Sequence, residues 1–255
     1  MNVSSILLKV GCCGWCVKGG RKAYFQKFNV IELQDTFYNL PRIGLAEKWR
    51  REAPEDFEFC VKAWQVITHP YTSPTWRRLR EKPEGKLENY GFLRPTEENF
   101  RAWEKVREVC KALRAKICVL QTPPSFGYSE ENVRSVKEFF SAIASRDIVV
   151  AWEPRGTWNR NLEKIKEIVD QYGIVHVVDP FKRWYVSESN IVYFRLHGKN
   201  GEINYRYKYT NEDLKWLWEQ IRTRCLGKEV YVMFNNVYMA QDAMLFKEIA
   251  KTNLL

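Results

Sequence analysis

The feature that most constrains the fold is a series of eight short apolar runs, rich in β-branched residues, spread along 255 residues. The runs are compact rather than strictly alternating, which is typical of parallel strands buried on both faces. Each run is therefore predicted to be a β-strand. The runs are Leu7–Cys12, Val30–Leu33, Phe57–Val61, Lys116–Gln121, Ile148–Trp152, Ile174–Val178, Ile191–Leu196 and Glu229–Phe234.

Segments with helical periodicity fill most of the gaps between these runs. The predicted helices are Ile43–Ala53, Glu97–Leu113, Glu130–Ala144, Leu162–Tyr172, Leu214–Cys225 and Ala240–Ala250. Three helix starts carry capping residues, namely Thr96, Ser129 and the pair Thr210 and Asp213. The segment Pro180–Asn190 is too short and irregular for a full helix.

Strands that alternate with helices indicate an α/β fold with a parallel sheet, and eight of them favour a closed (β/α)8 TIM-type barrel. Residues 1–255 show no linker or repeat, so one domain is predicted. The alternative is an open doubly wound sheet. That fold needs a glycine-rich phosphate turn after the first strand, and Gly11-Cys12-Cys13-Gly14 does not supply one.

Composition limits the class of protein. No apolar run approaches the ~18 residues of a membrane span, and the first ten residues lack the pattern of a secretory signal, so a cytoplasmic protein without membrane attachment is expected. Seven scattered cysteines do not form a disulfide framework. The pair Cys13-x-x-Cys16 lacks a second ligand pair for zinc, so Cys12, Cys13 and Cys16 are expected to be small buried residues in the first βα loop.

Polar residues stand at or just beyond the C-terminal ends of seven of the eight predicted strands. They are Glu32, Lys62, Gln121, Glu153 with Arg155, Asp179, Arg195 with His197, and Asn235 with Asn236. In a closed barrel these positions converge on one rim, where the loops of barrel enzymes build their sites. The predicted catalytic residues are Glu32, Lys62, Glu153, Asp179 and His197. The predicted anion-binding residues are Arg155, Arg195, His69, Gln121 and Asn235.

Three carboxylates and an imidazole in this set suit a divalent cation such as Mg²⁺, Mn²⁺ or Zn²⁺, with Glu153, Asp179 and His197 as the preferred ligands. The alternative is structural, in which Glu153 pairs with Arg155 and Asp179 with Arg195 as buried ion pairs. A glycosidase is disfavoured, because the fourth and seventh strands end in Gln121 and in Arg195 with His197 rather than in two facing carboxylates.

The charge balance suits either anionic partners or a solvated surface that its charge keeps soluble. The chain has 41 Lys and Arg against 31 Asp and Glu, a net charge of +10, which raises encounter rates with phosphorylated ligands and nucleic acid. Two predicted loops, Trp76–Arg80 and Tyr205–Tyr209, interleave aromatic and basic residues, a composition suited to stacking on bases. The alternative is that these aromatic rings pack on the barrel while the cations are simply solvated.

Several segments together resemble one known family. They are Gly11-Cys12-Cys13-Gly14-Trp15, Glu32-Leu33-Gln34-Asp35-Thr36-Phe37-Tyr38, Phe59-Cys60-Val61-Lys62-Ala63 with Ile67-Thr68-His69, Gln121-Thr122-Pro123-Pro124, Glu153-Pro154-Arg155, Tyr193-Phe194-Arg195-Leu196-His197-Gly198 and Phe234-Asn235-Asn236. The set resembles the domain of unknown function 72 (YecE-like) family, from about Val10 to Ala250.

The resemblance implies a TIM-type barrel, and it points to metal-dependent nuclease-like barrels and nucleic-acid binding as classes of function. Relatives usually carry small polar residues where Cys12, Cys13 and Cys16 stand, which argues against a metal role for these cysteines throughout the family.

Two hypotheses of function follow. The first is an enzyme that acts on a phosphate-bearing or otherwise anionic substrate at the rim, by hydrolysis or isomerisation, with or without a divalent metal ion. The second is a non-catalytic nucleic-acid-binding protein that uses the two basic-aromatic loops. A barrel that binds a small anion without turnover is a third alternative.

Overall fold

Each of the eight predicted runs forms a strand in the computed structural model, which describes residues 5–144 and 147–252. The strands are β1 (Leu7–Cys13), β2 (Val30–Leu33), β3 (Glu58–Lys62), β4 (Ile117–Gln121), β5 (Val149–Glu153), β6 (Val175–Val178), β7 (Ile191–Leu196) and β8 (Glu229–Phe234). They follow chain order in a closed parallel barrel, in which β8 returns to β1. The predicted fold class is therefore confirmed.

The α-helices of the described ranges lie in the gaps between strands. They are α1 (Gly20–Phe25), α2 (Asp35–Tyr38), α3 (Ile43–Glu52), α4 (Gln65–Thr68), α5 (Glu97–Leu113), α6 (Glu130–Ile143), α7 (Leu162–Tyr172), α8 (Asn211–Arg224) and α9 (Met239–Thr252). The six predicted helices are present, and Pro180–Asn190 holds none. Helices α1, α2 and α4 were not predicted, because four to six residues are too few to show a helical period.

Side-chain caps fix the starts of three helices. The hydroxyl of Thr96 accepts from the backbone N–H of Asn99, and the hydroxyl of Ser129 accepts from that of Asn132. Thr210 and Asp213 form a reciprocal capping box. Because this box places Asn211 in the first turn, α8 begins three residues before the predicted Leu214. Each cap contributes about 1 kcal/mol to stability.

The described residues fall into two compact units. The first unit comprises the described parts of Met1–Glu32, Ala53–Glu58 and Val177–Leu255, and the second comprises those of Leu33–Glu52 and Phe59–His176. The single domain predicted for residues 1–255 stays a prediction.

In the first unit, β1 lies between β8 and β2. It pairs with β8 from Leu7↔Glu229 to Cys12↔Phe234 and with β2 at Cys13↔Glu32. The rings of Tyr193 on β7 and Tyr231 on β8 stack 5.5 Å apart in the buried interior. The core of this unit is therefore partly aromatic, and its buried hydroxyl groups need partners.

In the second unit, β4 pairs with β3 and β5. The register with β5 runs from Ile117↔Val149 to Gln121↔Glu153, so the last residues of the two strands lie side by side. Trp152 of β5 packs edge-on against Phe140 of α6 and Trp158, with ring centroids 5.6 and 5.0 Å apart. Burial of these large rings anchors β5 and holds Glu153 at its end.

No helix within the described ranges combines the length and the apolar character that crossing a membrane would require.

Candidate functional site

The strand ends of the second unit hold four of the predicted site residues. Lys62 ends β3, Gln121 ends β4 and Glu153 ends β5, and each of these polar side chains is buried. The amide nitrogen of Gln121 donates to the carbonyl oxygen of Thr122 at 3.1 Å. Arg155, two residues after β5, is more accessible, with 16% of its side chain exposed.

Glu153 and Arg155 form a close ion pair. The Nε and Nη2 atoms of Arg155 lie 2.7 and 2.6 Å from the Oε1 atom of Glu153. The ion pair predicted from the sequence as the structural alternative is therefore present. Because the guanidinium is held by a buried carboxylate, its position is fixed in advance of any ligand, which lowers the entropic cost of binding.

His69 is the buried imidazole of this unit. Its Nδ1 atom lies 2.8 Å from the hydroxyl of Thr68, and its ring stands edge-on to Phe37 with centroids 5.0 Å apart. Burial is the largest cause, and the positive charges of Lys62 and Arg155 are the next, of a pKa of His69 that is lowered to about 3. The imidazole is therefore neutral throughout the physiological pH range and offers one donor and one acceptor.

Two residues that the sequence did not single out place Lys62. Its ammonium nitrogen lies 4.1 Å from the centroid of the Phe37 ring, which is cation–π geometry. Its carbonyl oxygen lies 2.7 Å from the hydroxyl of Thr36, which is fully buried. Both residues belong to α2, within the segment that carries the family resemblance, and that resemblance was the signal that could have pointed to them.

In the first unit, Glu32 and Arg195 neutralise each other. Nε of Arg195 donates to Oε2 of Glu32 at 3.0 Å, and Nη2 lies 2.9 Å from Oε1. The hydroxyl of Tyr193 donates to Oε2 at 2.9 Å, and both charged side chains have no exposed surface. The catalytic role predicted for Glu32 and the anion-binding role predicted for Arg195 stay predictions.

Asp179 and His197 also meet in the first unit. Oδ2 of Asp179 accepts the backbone N–H of His197 at 2.9 Å and lies 3.7 Å from its Nδ1 atom. Gly198 follows; its N–H donates to the hydroxyl of Tyr209, and its carbonyl oxygen accepts from Lys182. Sequence reasoning missed Lys182, which lies in an irregular segment without periodicity.

The sequence predicted Arg195 as the ion-pair partner of Asp179, whereas the pairs described above are Glu32–Arg195 and Asp179–His197.

The two asparagines after β8 differ in exposure. Asn235 is half-buried, and its backbone N–H donates to the carbonyl oxygen of Leu196. The amide nitrogen of Asn236 donates to Oδ2 of Asp242 at 2.7 Å and to the carbonyl oxygen of Tyr207 at 2.8 Å. Asn236 therefore ties the loop after β7 to α9, while the predicted anion-binding role of Asn235 stays a prediction.

The sequence predicted a site for a divalent cation. Within residues 5–144 and 147–252, no three His, Cys, Asp or Glu side chains form a cluster that could hold a metal ion. The ligand role predicted for Glu153, Asp179 and His197 stays a prediction.

Most aromatic rings of the two basic-aromatic loops pack against the protein. Nε1 of Trp76 donates to the carbonyl oxygen of His69 at 3.0 Å, so this ring supports the loop that carries His69. The hydroxyl of Tyr207 donates to Asp213, and Tyr209 is buried. Tyr205, 45% exposed, keeps an accessible ring.

The low pKa of His69 predicts a pH-dependent stability. An unfolded histidine titrates near 6.5 and His69 at about 3, so between these values only the unfolded chain takes up the proton. The free energy of unfolding is therefore expected to fall as the pH drops below about 6.5, by up to about 1.4 kcal/mol per pH unit from this group. Urea unfolding of the wild type and His69→Asn between about pH 7 and pH 5 measures the difference in slope. Equal slopes would contradict the assignment.

Comparisons with known proteins agree with the architecture. A family model described as "Protein of unknown function DUF72" matches residues 10–253. The UPF0759 protein YunF of Bacillus subtilis (strain 168) is 23% identical over 242 residues, which cover 84% of this chain and 79% of that protein.

Two crystal structures of DUF72 family proteins superpose on nearly the whole chain. The protein from Thermotoga maritima MSB8 is 26% identical, with a TM-score of 0.71, and the match covers 96% of this chain and 99% of the other. The protein from Enterococcus faecalis V583 is 19% identical, with a TM-score of 0.75, and the match covers 97% and 99%.

Proposed function

This chain belongs to the DUF72 family of proteins of unknown function, and we propose that it is an enzyme acting on a phosphate-bearing or otherwise anionic substrate. The substrate binds at the strand ends of the second unit. The observation that carries the proposal is the grouping of two fixed cations, Lys62 and Arg155, around the neutral imidazole of His69. Glu153 pairs with Arg155 and holds one of these cations in a fixed position, where a positively charged group suits an anion.

The two cations have different uses. Arg155 presents a planar guanidinium that suits the bidentate capture of a phosphate or carboxylate group. Lys62 supplies a compact charge that the Phe37 ring and the Thr36 hydroxyl help to place. The substrate's anionic group is therefore held by both, and His69 is the group left to exchange a proton with it.

Anion binding changes the protonation of His69. Burial first, and then the charges of Lys62 and Arg155, lower the pKa of this imidazole, so an anion that neutralises the two charges raises the pKa part of the way back. The bound substrate thus brings the imidazole closer to the range in which it accepts and returns a proton at neutral pH. Such a group suits a hydrolytic or isomerising reaction, and no step of this proposal requires a metal.

The test is calorimetric titration with inorganic phosphate and then with phosphorylated sugars and nucleotides, in two buffers of different ionisation enthalpy. We expect binding with proton uptake. Lys62→Met and Arg155→Met should each weaken binding about tenfold or more, the range for one charge-assisted contact. Lys105→Met and Arg160→Met remove exposed charges of the same unit and should leave the affinity unchanged. His69→Asn should bind without proton uptake. Affinity unchanged in both Lys62→Met and Arg155→Met would refute the proposal.

A second candidate, a non-catalytic nucleic-acid-binding protein, is favoured by one observation. A cavity of about 480 Å³ in the loop after α4 is lined by Tyr71, Trp76, Arg77 and Lys82 among others. Tyr71, Arg77 and Lys82 are exposed, so a base could stack on the tyrosine while the cations meet phosphates.

Anisotropy titrations with single-stranded DNA and RNA at several salt concentrations separate the two candidates. The second candidate would be supported by binding that becomes weaker as the salt concentration rises. Arg77→Met should weaken this binding, and Lys62→Met should leave it unchanged. Absence of binding, or binding insensitive to salt, would reject it.

A further inference from the structure

A third cation lies close to the group that the proposed function uses. Arg78 ends the short 3-10 helix Pro74–Arg78 in the loop after α4, and it belongs to the same unit as Lys62. The residue is exposed. Among the residues that the structure describes, no carboxylate pairs with its guanidinium, so its charge is available to a ligand.

The ring of Tyr38 holds this guanidinium in place. The Cζ atom of Arg78 lies 3.5 Å from the centroid of the ring, which is a close cation–π contact. The contact runs through the central carbon atom of the group. The N–H donors at its periphery therefore remain open to an acceptor, and they form the fork that suits a phosphate group.

The backbone of Arg78 is also fixed. Asn39, directly after α2, donates from Nδ2 to the carbonyl oxygen of Arg78 at 3.0 Å, and its Oδ1 atom accepts the backbone N–H of Arg80 at 2.8 Å. One side-chain amide thus holds the chain on both sides of the peptide that follows Arg78. Because backbone and side chain are both placed before a ligand arrives, less entropy is lost on binding.

Phe37 connects Arg78 with the proposed anion site. The ring centroids of Tyr38 and Phe37 lie 5.0 Å apart. The centroid of Phe37 in turn lies 4.1 Å from the ammonium nitrogen of Lys62 and 5.0 Å from the centroid of the His69 ring. The separation of Arg78 from Lys62 therefore cannot exceed the three contacts of 3.5, 5.0 and 4.1 Å laid end to end, which one small molecule can span.

The two cations lie at different depths. Lys62 is 8% exposed and ends a buried strand, whereas Arg78 is exposed. A molecule that places one anionic group at Lys62 therefore has its outer end at the level of Arg78. A second anionic group at that end meets a cation that no carboxylate of the described residues neutralises.

We propose that Arg78 binds a second anionic group of the substrate, which makes the substrate a small molecule with two separate phosphate groups, such as a sugar bisphosphate. This inference rests on the proposed function, in which Lys62 and Arg155 hold the first anionic group. Arg78 is then a specificity-determining residue. It distinguishes a bisphosphate from the corresponding monophosphate and contributes nothing to the binding of the monophosphate.

The chain offers a matched control in the neighbouring residue. Arg77 is exposed like Arg78, but it lines the cavity after α4 together with Trp76, whereas Arg78 contacts Tyr38. Both substitutions to methionine remove one positive charge from the same turn. A general attraction between the basic loop and a more highly charged ligand would therefore fall equally in the two variants.

The test is calorimetric titration of the full-length chain, at one fixed salt concentration, with fructose 6-phosphate and with fructose 1,6-bisphosphate. We expect the wild type to bind the bisphosphate about tenfold or more tightly than the monophosphate, the effect of one charge-assisted contact. Arg78→Met should abolish this preference and leave the affinity for the monophosphate unchanged. Arg77→Met should keep the preference.

Two substitutions of Tyr38 test the placement of the guanidinium. Tyr38→Phe retains the ring and should retain the preference for the bisphosphate, whereas Tyr38→Leu removes the ring and should reduce the preference. The affinity for the monophosphate, measured on the same samples, shows that each variant is folded. Equal preferences in Tyr38→Phe and Tyr38→Leu would contradict the role given to the ring.

The inference would be overturned by a preference that persists in Arg78→Met or that Arg77→Met reduces equally. It would also be overturned if Arg78→Met weakened the binding of both probes by the same factor, because Arg78 would then contact the first anionic group. Binding of neither probe would overturn it as well. The proposed function is judged separately, by the dependence of phosphate and monophosphate binding on Lys62 and Arg155, so the two failures are distinguishable.

Discussion

Replacing Arg195 with methionine is expected to lower the free energy of unfolding by about 3–5 kcal/mol, the range for breaking a buried ion pair from one side. Glu32 and Arg195 have no exposed surface, and two nitrogen–oxygen distances of 2.9 and 3.0 Å join them. Without the guanidinium, Glu32 must either stay charged in a low-dielectric interior or take up a proton. Urea unfolding at neutral pH measures the loss.

A double-mutant cycle distinguishes the pair from its surroundings. Glu32→Gln combined with Arg195→Met removes both charges, so the double variant should be clearly more stable than the sum of the single effects implies. The matched surface control is Arg107→Met, which breaks the exposed contacts with Glu104 and Asp147 and should cost less than about 1 kcal/mol. Additive effects at Glu32 and Arg195 would show that the two charges are not energetically coupled.

Replacing Gly198 with alanine is the second substitution with a large expected effect, a loss of about 2–6 kcal/mol. Gly198 has a φ of 83°, which costs a side-chain-bearing residue about 1–3 kcal/mol. An added Cβ atom would also lie 2.1 Å from the carbonyl oxygen of Asn204 and 2.7 Å from Cβ of Tyr207. Relief of these collisions displaces the loop directly after His197 and adds about 1–3 kcal/mol.

Gly201 in the same loop is the matched control. Its φ of 115° is also positive, but an added Cβ atom would have no neighbour within 4 Å. Gly201→Ala should therefore show the conformational cost alone, about 1–3 kcal/mol. Urea unfolding of both variants gives the comparison. Equal losses in the two proteins would mean that the close approach of Asn204 to Gly198 contributes nothing to the effect.

The strands were predictable because a strand buried on both faces is a continuous apolar run in the sequence. The capping residues Thr96, Ser129 and Thr210 were predictable because capping depends on residues three apart, although α8 begins three residues before its predicted start. Helices α1, α2 and α4 were not, because each depends on tertiary contacts rather than on its own periodicity. Residues such as Thr36 and Phe37, which place Lys62, were missed for that reason.

The pairing of charges was only partly predictable. Glu153 and Arg155 are two residues apart, so their contact follows from local geometry. Glu32 and Arg195 are 163 residues apart in sequence, and their contact depends on strands whose register no single-sequence pattern encodes. The neutral state of His69 could not be predicted from the sequence either, because it arises from burial and from two cations that only the fold brings near.

The pairing of β1 with β8 has a consequence for the order in which the nascent chain folds. Its register joins Leu7–Cys12 to residues 229–234, so β1 leaves the ribosome well before that partner has been made. Synthesis at about 5–20 residues per second makes this interval at least roughly ten seconds. The residues of the second unit all precede Val177, so they are complete before β7 and β8 exist. The thiols of β1 are thus made well before the strand with which β1 pairs.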